Sequence, residues 1–184
     1  MARSVYVLAA VLAASSVPPL GAVTVIGNSN ARQCYEAAES PMQPTMRDLR
    51  TCDEAFAAEA LSRHDRVATH VNRGILRLRR NQMDGAIEDF DRAIALDPNQ
   101  PESYLNKGAT LLRMNNPSDA LGLFTVALEH DTRHPAVAHY GRAIANEELG
   151  NVREAYNDYR RASELDPNWS DPRTELQRFR VVSE

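Results

Sequence analysis

Three histidines lie close together in the second half of the chain and are the first candidates for metal chemistry. His130, His134 and His139 fall within ten residues, and imidazole nitrogens are common ligands of zinc. A helical zinc motif, however, needs two histidines on one face of one helix. The local pattern instead predicts a helix end, a turn and the following helix for these three positions. We therefore predict neither a metal site nor a cofactor.

Carboxylates and nucleophiles form no recognisable catalytic arrangement in this sequence. Asp89 and Asp91 flank Phe90 in a helical stretch, which predicts that both carboxylates lie on the outer surface and not in a cleft. The 184 residues contain no G-x-S-x-G, no H-E-x-x-H and no glycine-rich phosphate loop, the motifs that mark common hydrolases and nucleotide-binding enzymes. The sequence therefore predicts a protein that is not an enzyme.

The two cysteines of the chain, Cys34 and Cys52, are predicted to form a disulfide. Residues 31–39 and 46–61 both have helical composition, and a proline-containing stretch between them predicts a reversal of the chain. Each cysteine falls on the apolar stripe that its helix would bury, so an antiparallel pair would bring the two sulfur atoms within reach. Two separate buried thiols remain the alternative. A redox-catalytic pair is not predicted, because the chain has no C-x-x-C.

Residues 1–22 are typical of a secretory signal. After a short positive start, residues 4–14 form an apolar run of signal length, and small residues follow at the end. The run is too short to span a bilayer as a helix. We predict cleavage after Ala22, a flexible stretch over 23–30, and a periplasmic or secreted mature protein in which a disulfide is stable. Cleavage after Ser16 and an uncleaved anchor remain the alternatives.

Composition and charge exclude several classes of protein. The chain has 21 basic and 25 acidic residues and a net charge of −4, which gives it too little positive charge to attract a phosphate backbone. Hydrophobic residues make up 43% and charged residues 25% of the chain, as in an ordinary globular domain. We therefore predict no nucleic-acid partner and, after signal cleavage, no integral membrane segment.

Most of the remaining chain repeats itself. A small residue, an alanine, an aromatic residue and a second alanine return first after 34 residues and then after 35. The three copies are Gly74, Ala86, Phe90 and Ala93; Gly108, Ala120, Phe124 and Ala127; and Ala143, Ala155, Tyr159 and Ala162. The spacing within each copy is typical of two packed helices. The sequence therefore predicts stacked helix pairs.

This pattern resembles the tetratricopeptide repeat family over residues 67–100, 101–134 and 136–169. The resemblance implies an all-α fold, namely an α-solenoid of helix pairs. Residues 31–66 look similar to a degenerate unit and are expected to form an N-terminal helical hairpin. Residues 170–184 are expected to form a C-terminal capping helix, because the last unit of a stack needs a lid with a polar outer face.

In tetratricopeptide proteins the first helix of each unit lines a concave groove that holds an extended peptide or a partner's helix. The positions of this sequence that match the groove lining are Val71, Asn72, Ile75, Arg79, Leu105, Asn106, Ala109, Arg113, Tyr140 and Ile144. Asn72 and Asn106 occupy equivalent places, and an asparagine amide both donates to and accepts from a peptide backbone. The resemblance therefore implies a protein or peptide partner. The alternative is that these residues only cover the core.

Charged residues bear on the kind of partner. One subtype of the family grips a C-terminal carboxylate with lysines, but valines stand at those positions here, so that ligand is not expected. Arg73 and Arg77 occupy places where the family usually has apolar residues. They are expected to meet acidic groups of the N-terminal hairpin such as Asp53 or Glu59. A docking patch for an acidic partner is the alternative.

The sequence is also compatible with a structural role that needs no separate partner. The stack could instead self-associate into a homo-oligomer and serve as a structural component of an envelope assembly. Groove side chains distinguish one repeat protein from another, and no rule converts them into a ligand sequence. The sequence therefore predicts an exported protein-interaction module without naming its partner.

Overall fold

The computed structural model describes residues 4–8, 21–25, 29–58 and 60–183 of the chain. These ranges form nine α-helices and two short β-strands. The elements are β1 Ser4–Leu8, α1 Asn30–Glu39, α2 Met46–Ala58, α3 Arg63–Arg79, α4 Met83–Leu96, α5 Pro101–Arg113, α6 Pro117–Glu129, α7 Pro135–Glu148, α8 Val152–Leu165, α9 Ser170–Leu176 and β2 Phe179–Ser183. Consecutive helices pack in pairs, α1 with α2, α3 with α4, α5 with α6 and α7 with α8. The predicted α-solenoid is confirmed.

Local sequence signals set where the helices begin. Ser62 precedes α3, and its Oγ accepts a hydrogen bond from the backbone N–H of Asp65 (3.0 Å), which satisfies a donor that the helix itself leaves unpaired. Helices α5, α6 and α7 each begin with proline, at a position where the missing N–H is not needed. We call α3–α4, α5–α6 and α7–α8 the first, second and third units.

The turn between the two helices of each unit uses one left-handed residue. The φ angle is 63° at Asn81, 58° at Asn115 and 78° at Gly150, and these three positions are equivalent in the repeat. Glycine adopts positive φ freely, and asparagine tolerates it better than most residues. The same turn geometry therefore recurs in all three units although the residue changes.

Phenylalanines from the second helices fill the space above glycines of the first helices. A Cβ at Gly74 would lie 2.5 Å from Cε1 of Phe90, and a Cβ at Gly141 would lie 2.4 Å from Cζ of Phe124. Both distances are far below van der Waals contact, so a side chain at either glycine would force the helices apart. Phe124 belongs to the second unit and Gly141 to the third, and this contact therefore joins neighbouring units.

The N-terminal hairpin formed by α1 and α2 packs on the first unit. The predicted disulfide is present, since Cys34 and Cys52 are bonded, fully buried and separated by 5.0 Å between their Cα atoms. Arg79, at the end of α3, donates hydrogen bonds to the carbonyl oxygens of Ala38 (3.2 Å) and Ser40 (2.7 Å). Carbonyls at a helix end lack partners within the helix, so Arg79 holds the hairpin to the first unit.

The C-terminal cap is shorter than predicted. Helix α9 ends at Leu176, and residues 179–183 form β2, which pairs antiparallel with β1. The helical prediction over 170–184 is therefore wrong beyond α9. Its spacing of apolar residues also fits a short strand of Phe and Val, residues that favour extended structure. Phe179 is buried against the rings of Tyr156 and Tyr159, with ring centroids 5.7 and 5.9 Å away.

The N-terminal stretch is described only in part. Residues 1–3 and 9–20, which make up most of the predicted signal, lie outside the described residues. Residues 21–25 are packed against the solenoid, with Val23 and Val25 buried and Val23 hydrogen-bonded to Asn72, so the prediction of a flexible stretch is wrong for 23–25. In the part of the chain that the structure describes, no helix is both long and apolar enough to cross a membrane.

Candidate peptide-binding groove

Two asparagines on neighbouring first helices hold a stretch of backbone that we call the extended segment, residues 21–25. Asn72 on α3 is paired with both polar groups of Val23: its Oδ1 accepts from the backbone N–H (2.9 Å) and its Nδ2 donates to the carbonyl oxygen (2.8 Å). Asn106 on α5 donates from Nδ2 to the carbonyl oxygen of Gly21 (3.0 Å). Both asparagine side chains are fully buried. The predicted pair of amides therefore binds a peptide backbone, and that backbone belongs to the chain itself.

The extended segment alternates between buried and half-buried residues. Val23 and Val25 are 5% and 1% exposed, whereas Ala22 and Thr24 are half-buried. This period of two is that of a β-strand with one face against a protein surface. The two valines belong to the same apolar cluster as Val71 and Ile75 of α3.

The far end of the extended segment is enclosed by side chains from the second and third units. A Cβ at Gly21 would lie 2.5 Å from Cδ2 of His134 and 3.2 Å from Cγ of Glu102. Glu102 is itself buried, and its Oε1 accepts hydrogen bonds from Thr132 Oγ1 (3.4 Å) and from the backbone N–H of Arg133 (3.0 Å). Only a residue without a side chain fits beside His134 as it is placed.

The other predicted groove residues have different surroundings. Six of them are buried on α5, α7 or α3, in apolar clusters of the solenoid: Val71, Ile75, Leu105, Ala109, Tyr140 and Ile144. Tyr140 packs against Trp169, with ring centroids 4.7 Å apart. Arg79 is engaged by the hairpin, and exposed Arg113 donates to the carbonyl oxygen of Leu78 (3.4 Å). Partner binding by these residues stays a prediction.

The asparagine pair has no counterpart in the third unit. The equivalent residue there is Gly141, whose missing side chain makes room for Phe124. The third unit therefore contributes packing and not a third amide, which limits the pairing to the first and second units.

A buried cluster of charges lies on the other side of α3. The prediction that Asp89 lies on the outer surface is wrong: the residue is fully buried, and its carboxylate faces α3, which supplies the donors that compensate its charge. It accepts hydrogen bonds from His70 Nδ1 (3.0 Å), from Arg73 Nε (3.0 Å) and Nη2 (2.6 Å), and from Arg77 Nη1 (2.8 Å). Arg73 also donates to Asp53 (2.6 Å). The two arginines therefore form internal ion pairs and not an open docking patch; Glu59 lies outside the described residues.

The electrostatics of this cluster follow from its donors. Burial alone would raise the pKa of Asp89, but hydrogen bonds from His70 and Arg73 outweigh burial and hold the pKa below its usual value. Burial likewise lowers the pKa of Arg73, and Asp89 more than restores it. The result is a buried carboxylate that stays charged because its donors compensate for the lost solvent.

The third unit repeats this cluster. Asp158 accepts from His139 Nδ1 (2.8 Å) and from Arg142 Nε and Nη2 (both 2.8 Å). Burial alone would raise the pKa of Asp158, but the hydrogen bonds from these two donors outweigh burial and lower the pKa. Sequence reasoning missed both histidine–arginine–aspartate clusters, although each keeps the spacing H-x-x-R followed sixteen residues later by Asp.

The three histidines considered for metal binding are held apart by separate contacts. His130 stacks on Tyr104 with centroids 5.8 Å apart, His134 lies beside Gly21, and His139 faces Asp158. Within the described residues, no group of three or more His, Cys, Asp or Glu side chains is placed to hold a metal ion. Their positions are explained by packing and hydrogen bonding.

Sequence comparisons agree with the helix-pair repeat. The family model described as "TPR repeat" matches residues 74–115, and the one described as "Tetratricopeptide repeat" matches residues 136–169. Serine/threonine-protein phosphatase 5 of Rattus norvegicus is 30% identical over 125 residues, which are 68% of this chain and 24% of the phosphatase. The chain thus spans about a quarter of the length of that curated relative.

Solved structures share the fold. The second TPR domain of human RPAP3, in complex with the HSP70 peptide SGPTIEEVD, superposes with a TM-score of 0.59 at 25% identity over 63% of this chain and 96% of that domain. A MamA double mutant gives a TM-score of 0.64 at 20% identity over 81% of this chain and 82% of MamA. The matched repeat models and the shared arrangement of helix pairs together establish that this chain contains tetratricopeptide repeats.

Proposed function

We propose that this protein is an interaction module that binds an extended segment of a partner protein in the groove lined by α3 and α5, and that it catalyses no reaction. One observation carries the proposal: the groove holds residues 21–25 through Asn72 and Asn106. An extended backbone is thus a ligand that this surface fits.

The chemistry of the contacts explains how a partner would be held. An amide that pairs with both the N–H and the C=O of one residue recognises extended backbone whatever the side chain. The likeness to the RPAP3 domain with its bound HSP70 peptide supports the same use of this fold. Affinity then comes from hydrogen bonds to the partner's backbone, and selectivity comes from how the partner's side chains fit the groove residues beside that backbone.

A partner must replace the extended segment. The incoming backbone would form the hydrogen bonds to Asn72 and Asn106 that the segment gives up, so the exchange is close to balanced in hydrogen bonding. Binding therefore depends on how well the partner's side chains fit relative to those of the segment, and on its concentration.

We place this module outside the cytoplasm, in the periplasm or secreted. The signal-like composition of residues 1–22 supports export. Cleavage after Ser16, and not after Ala22, keeps Gly21 and its contact with Asn106 in the mature chain. The disulfide between Cys34 and Cys52 is of a kind that persists in oxidising compartments.

The test requires a chain whose groove is free. Substituting Asn72 in the natural chain weakens the hold on the extended segment and on a partner alike, so the two effects cancel. We therefore start from the full chain carrying Val23→Asp, which we call the opened chain, because a carboxylate at this buried position expels the segment. Proteins captured from a periplasmic extract by the opened chain are compared with those captured after Asn72→Ala and Asn106→Ala are added.

A control removes an asparagine side chain outside the groove. Asn168 is exposed, and Asn168→Ala in the opened chain should leave capture unchanged. We expect a specific partner to be lost from the groove variant and retained by this control. Equal capture by all three chains would exclude the groove as the binding surface.

Self-association is the second candidate, and the same geometry favours it. The occupant of the groove is a stretch of this very chain, so the segment of one copy fits the opened groove of another. Sedimentation of the natural chain over a range of concentrations tests this: reversible dimers that disappear with Val23→Asp would support exchange of segments between copies.

A further inference from the structure

The space next to His134 limits the size of the side chain that a backbone bound in the groove can carry at that position. Gly21 is buried there, with His134 and Glu102 on the side where a Cβ would project. A Cβ would come within 2.5 Å of His134 Cδ2, closer than atoms pack without displacement. His134 is half-buried beside α7 and Glu102 is held by two hydrogen bonds. This end of the groove therefore favours glycine.

Two further positions of the bound segment place apolar side chains in a buried cluster of the solenoid. Val23 and Val25 lie two and four residues after Gly21, and both are buried in the cluster that contains Val71 and Ile75. β-branched residues favour the extended conformation and pack well on such a surface. The residues between them are half-buried and less restricted.

Asn106 retains an unused acceptor at the same place. Its Oδ1 is buried and has no hydrogen-bond partner among the described residues, whereas Asn72 uses both ends of its amide on Val23. A backbone that donates an N–H to Asn106 Oδ1 would satisfy a buried acceptor that the extended segment leaves unpaired.

We propose that the groove selects partner segments with glycine beside His134 and β-branched apolar residues two and four positions later, and that residues 21–25 are a built-in competitor for such partners. This proposal rests on the proposed function, because it names the ligand class of the same groove. The pattern is Gly-x-Val-x-Val, read along the backbone from Asn106 towards Asn72 and α1.

The ligand class is tested with short peptides on the opened chain. The probe is acetyl-Gly-Ala-Val-Thr-Val joined through a linker to a fluorophore, and binding is followed by fluorescence anisotropy. Matched probes carry alanine or valine in place of the first glycine. We expect the valine probe to bind about tenfold more weakly than the glycine probe, with alanine in between, because each added methyl group meets His134.

A change in the protein should remove this preference. With His134→Ala added to the opened chain, the difference in affinity between the glycine and alanine probes should shrink to less than about twofold. The ring atoms within 3 Å of the Cβ are then gone, and only Glu102 Cγ, at 3.2 Å, stays close. The ratio of the two affinities is compared within each chain, so any remaining competition from the extended segment cancels.

Competition by the extended segment has its own readout. The natural chain should bind the glycine probe at least about tenfold more weakly than the opened chain, because its groove is already filled. Full chain carrying Gly21→Val is a second way to expel the segment, and circular dichroism checks that both variants keep their helices.

The outcomes separate the two proposals. Glycine and valine probes that bind equally, with both lost on Asn72→Ala, would overturn the glycine preference and leave the peptide-binding groove intact. Absence of binding by every probe to both opened variants, with helices retained, would overturn the groove as well. A glycine preference that disappears with His134→Ala supports the proposal.

Discussion

At the scale of single residues, the two buried aspartates are the groups whose surroundings constrain them most. Asp89 has no exposed surface on its side chain and pairs with Arg73, whose side chain is 9% exposed. Asp158 is paired with the more accessible Arg142, which is 25% exposed. Equivalent clusters in the first and third units therefore differ in burial, and the difference can be measured.

Asp89→Asn should lower the free energy of unfolding by about 3–5 kcal/mol, because it leaves the buried guanidinium of Arg73 without its main counter-charge. Asp158→Asn should cost less, about 1–3 kcal/mol, since solvent reaches Arg142. Urea denaturation followed by circular dichroism measures both. Asp91→Asn, at a carboxylate that is 52% exposed, is the control and should cost about 0.5 kcal/mol or less. Equal losses at Asp89 and Asp91 would contradict the assigned burial.

The lowered pKa values of Asp89 and Asp158 also predict how stability depends on pH. A carboxyl whose pKa is lower in the folded state stabilises the fold fully above the pKa of the unfolded chain, about 4, and loses that contribution as the pH falls through the folded value. The free energy of unfolding should therefore fall steeply below about pH 4. Urea denaturation at a series of pH values should show a shallower fall in the double variant Asp89→Asn, Asp158→Asn. Identical slopes would mean that other carboxyls dominate.

At the scale of elements, the contacts between helices make two glycines behave in opposite ways. Gly141 on α7 has Phe124 where its Cβ would be, whereas nothing lies within 4 Å of a Cβ at Gly122 on α6. Gly141→Ala should lower stability by about 1–3 kcal/mol through overpacking. Gly122→Ala should raise it by about 0.5–1 kcal/mol, because alanine favours helix. Thermal unfolding of both variants checks the signs, and two changes of the same sign would contradict the packing.

The N-terminal hairpin depends on its covalent link. Reduction of the disulfide between Cys34 and Cys52 should lower stability by about 3 kcal/mol, because the unfolded chain then regains the freedom of the closed loop. The measurement is the urea midpoint with and without a reductant. The double variant Cys34→Ala, Cys52→Ala is the control and should not respond to reductant. A natural chain that is equally insensitive would show that the cysteines are not bonded in solution.

The elements show which parts of the fold sequence reasoning can reach. The helix pairs were predictable because Gly74 and Phe90 recur at a fixed period, and local spacing encodes their contact. Strand β2 was missed because the spacing of apolar residues after Leu176 fits a helix as well as a strand. Its pairing with β1, which aligns Ser4 with Ser183, is a contact between the two ends of the chain that no local pattern signals.

At the scale of the whole molecule, the groove holds its occupant without opposite charges. The described contacts of the extended segment are apolar packing and hydrogen bonds to backbone groups, including one from Arg32 to the carbonyl oxygen of Val25 (3.1 Å). Binding of the glycine probe to the opened chain should therefore change by less than about twofold between about 50 mM and about 500 mM salt, because screening acts on charge pairs. Anisotropy titrations measure this. A loss of affinity of about tenfold would point to ion pairing with the ligand.

The sequence predicted the groove residues of the site but not the segment that occupies the groove. Asn72 and Asn106 stand out because equivalent positions carry the same amide, and that amide has one obvious use with a peptide. The occupant could not be foreseen, because Gly21 and Val23 are small neutral residues within a stretch that looks like a signal. Their partners are far along the chain, and the fit of Gly21 beside His134 exists only once three units have stacked.

The order of these partners along the chain has a consequence for biosynthesis. Val23 precedes Asn72 by 49 residues, and Gly21 precedes Asn106 by 85. Translation therefore delivers the extended segment to the outside of the ribosome well before the groove that holds it has been made. During that interval its apolar residues are open to chaperones and targeting factors, and docking into the groove has to wait until both α3 and α5 have been made.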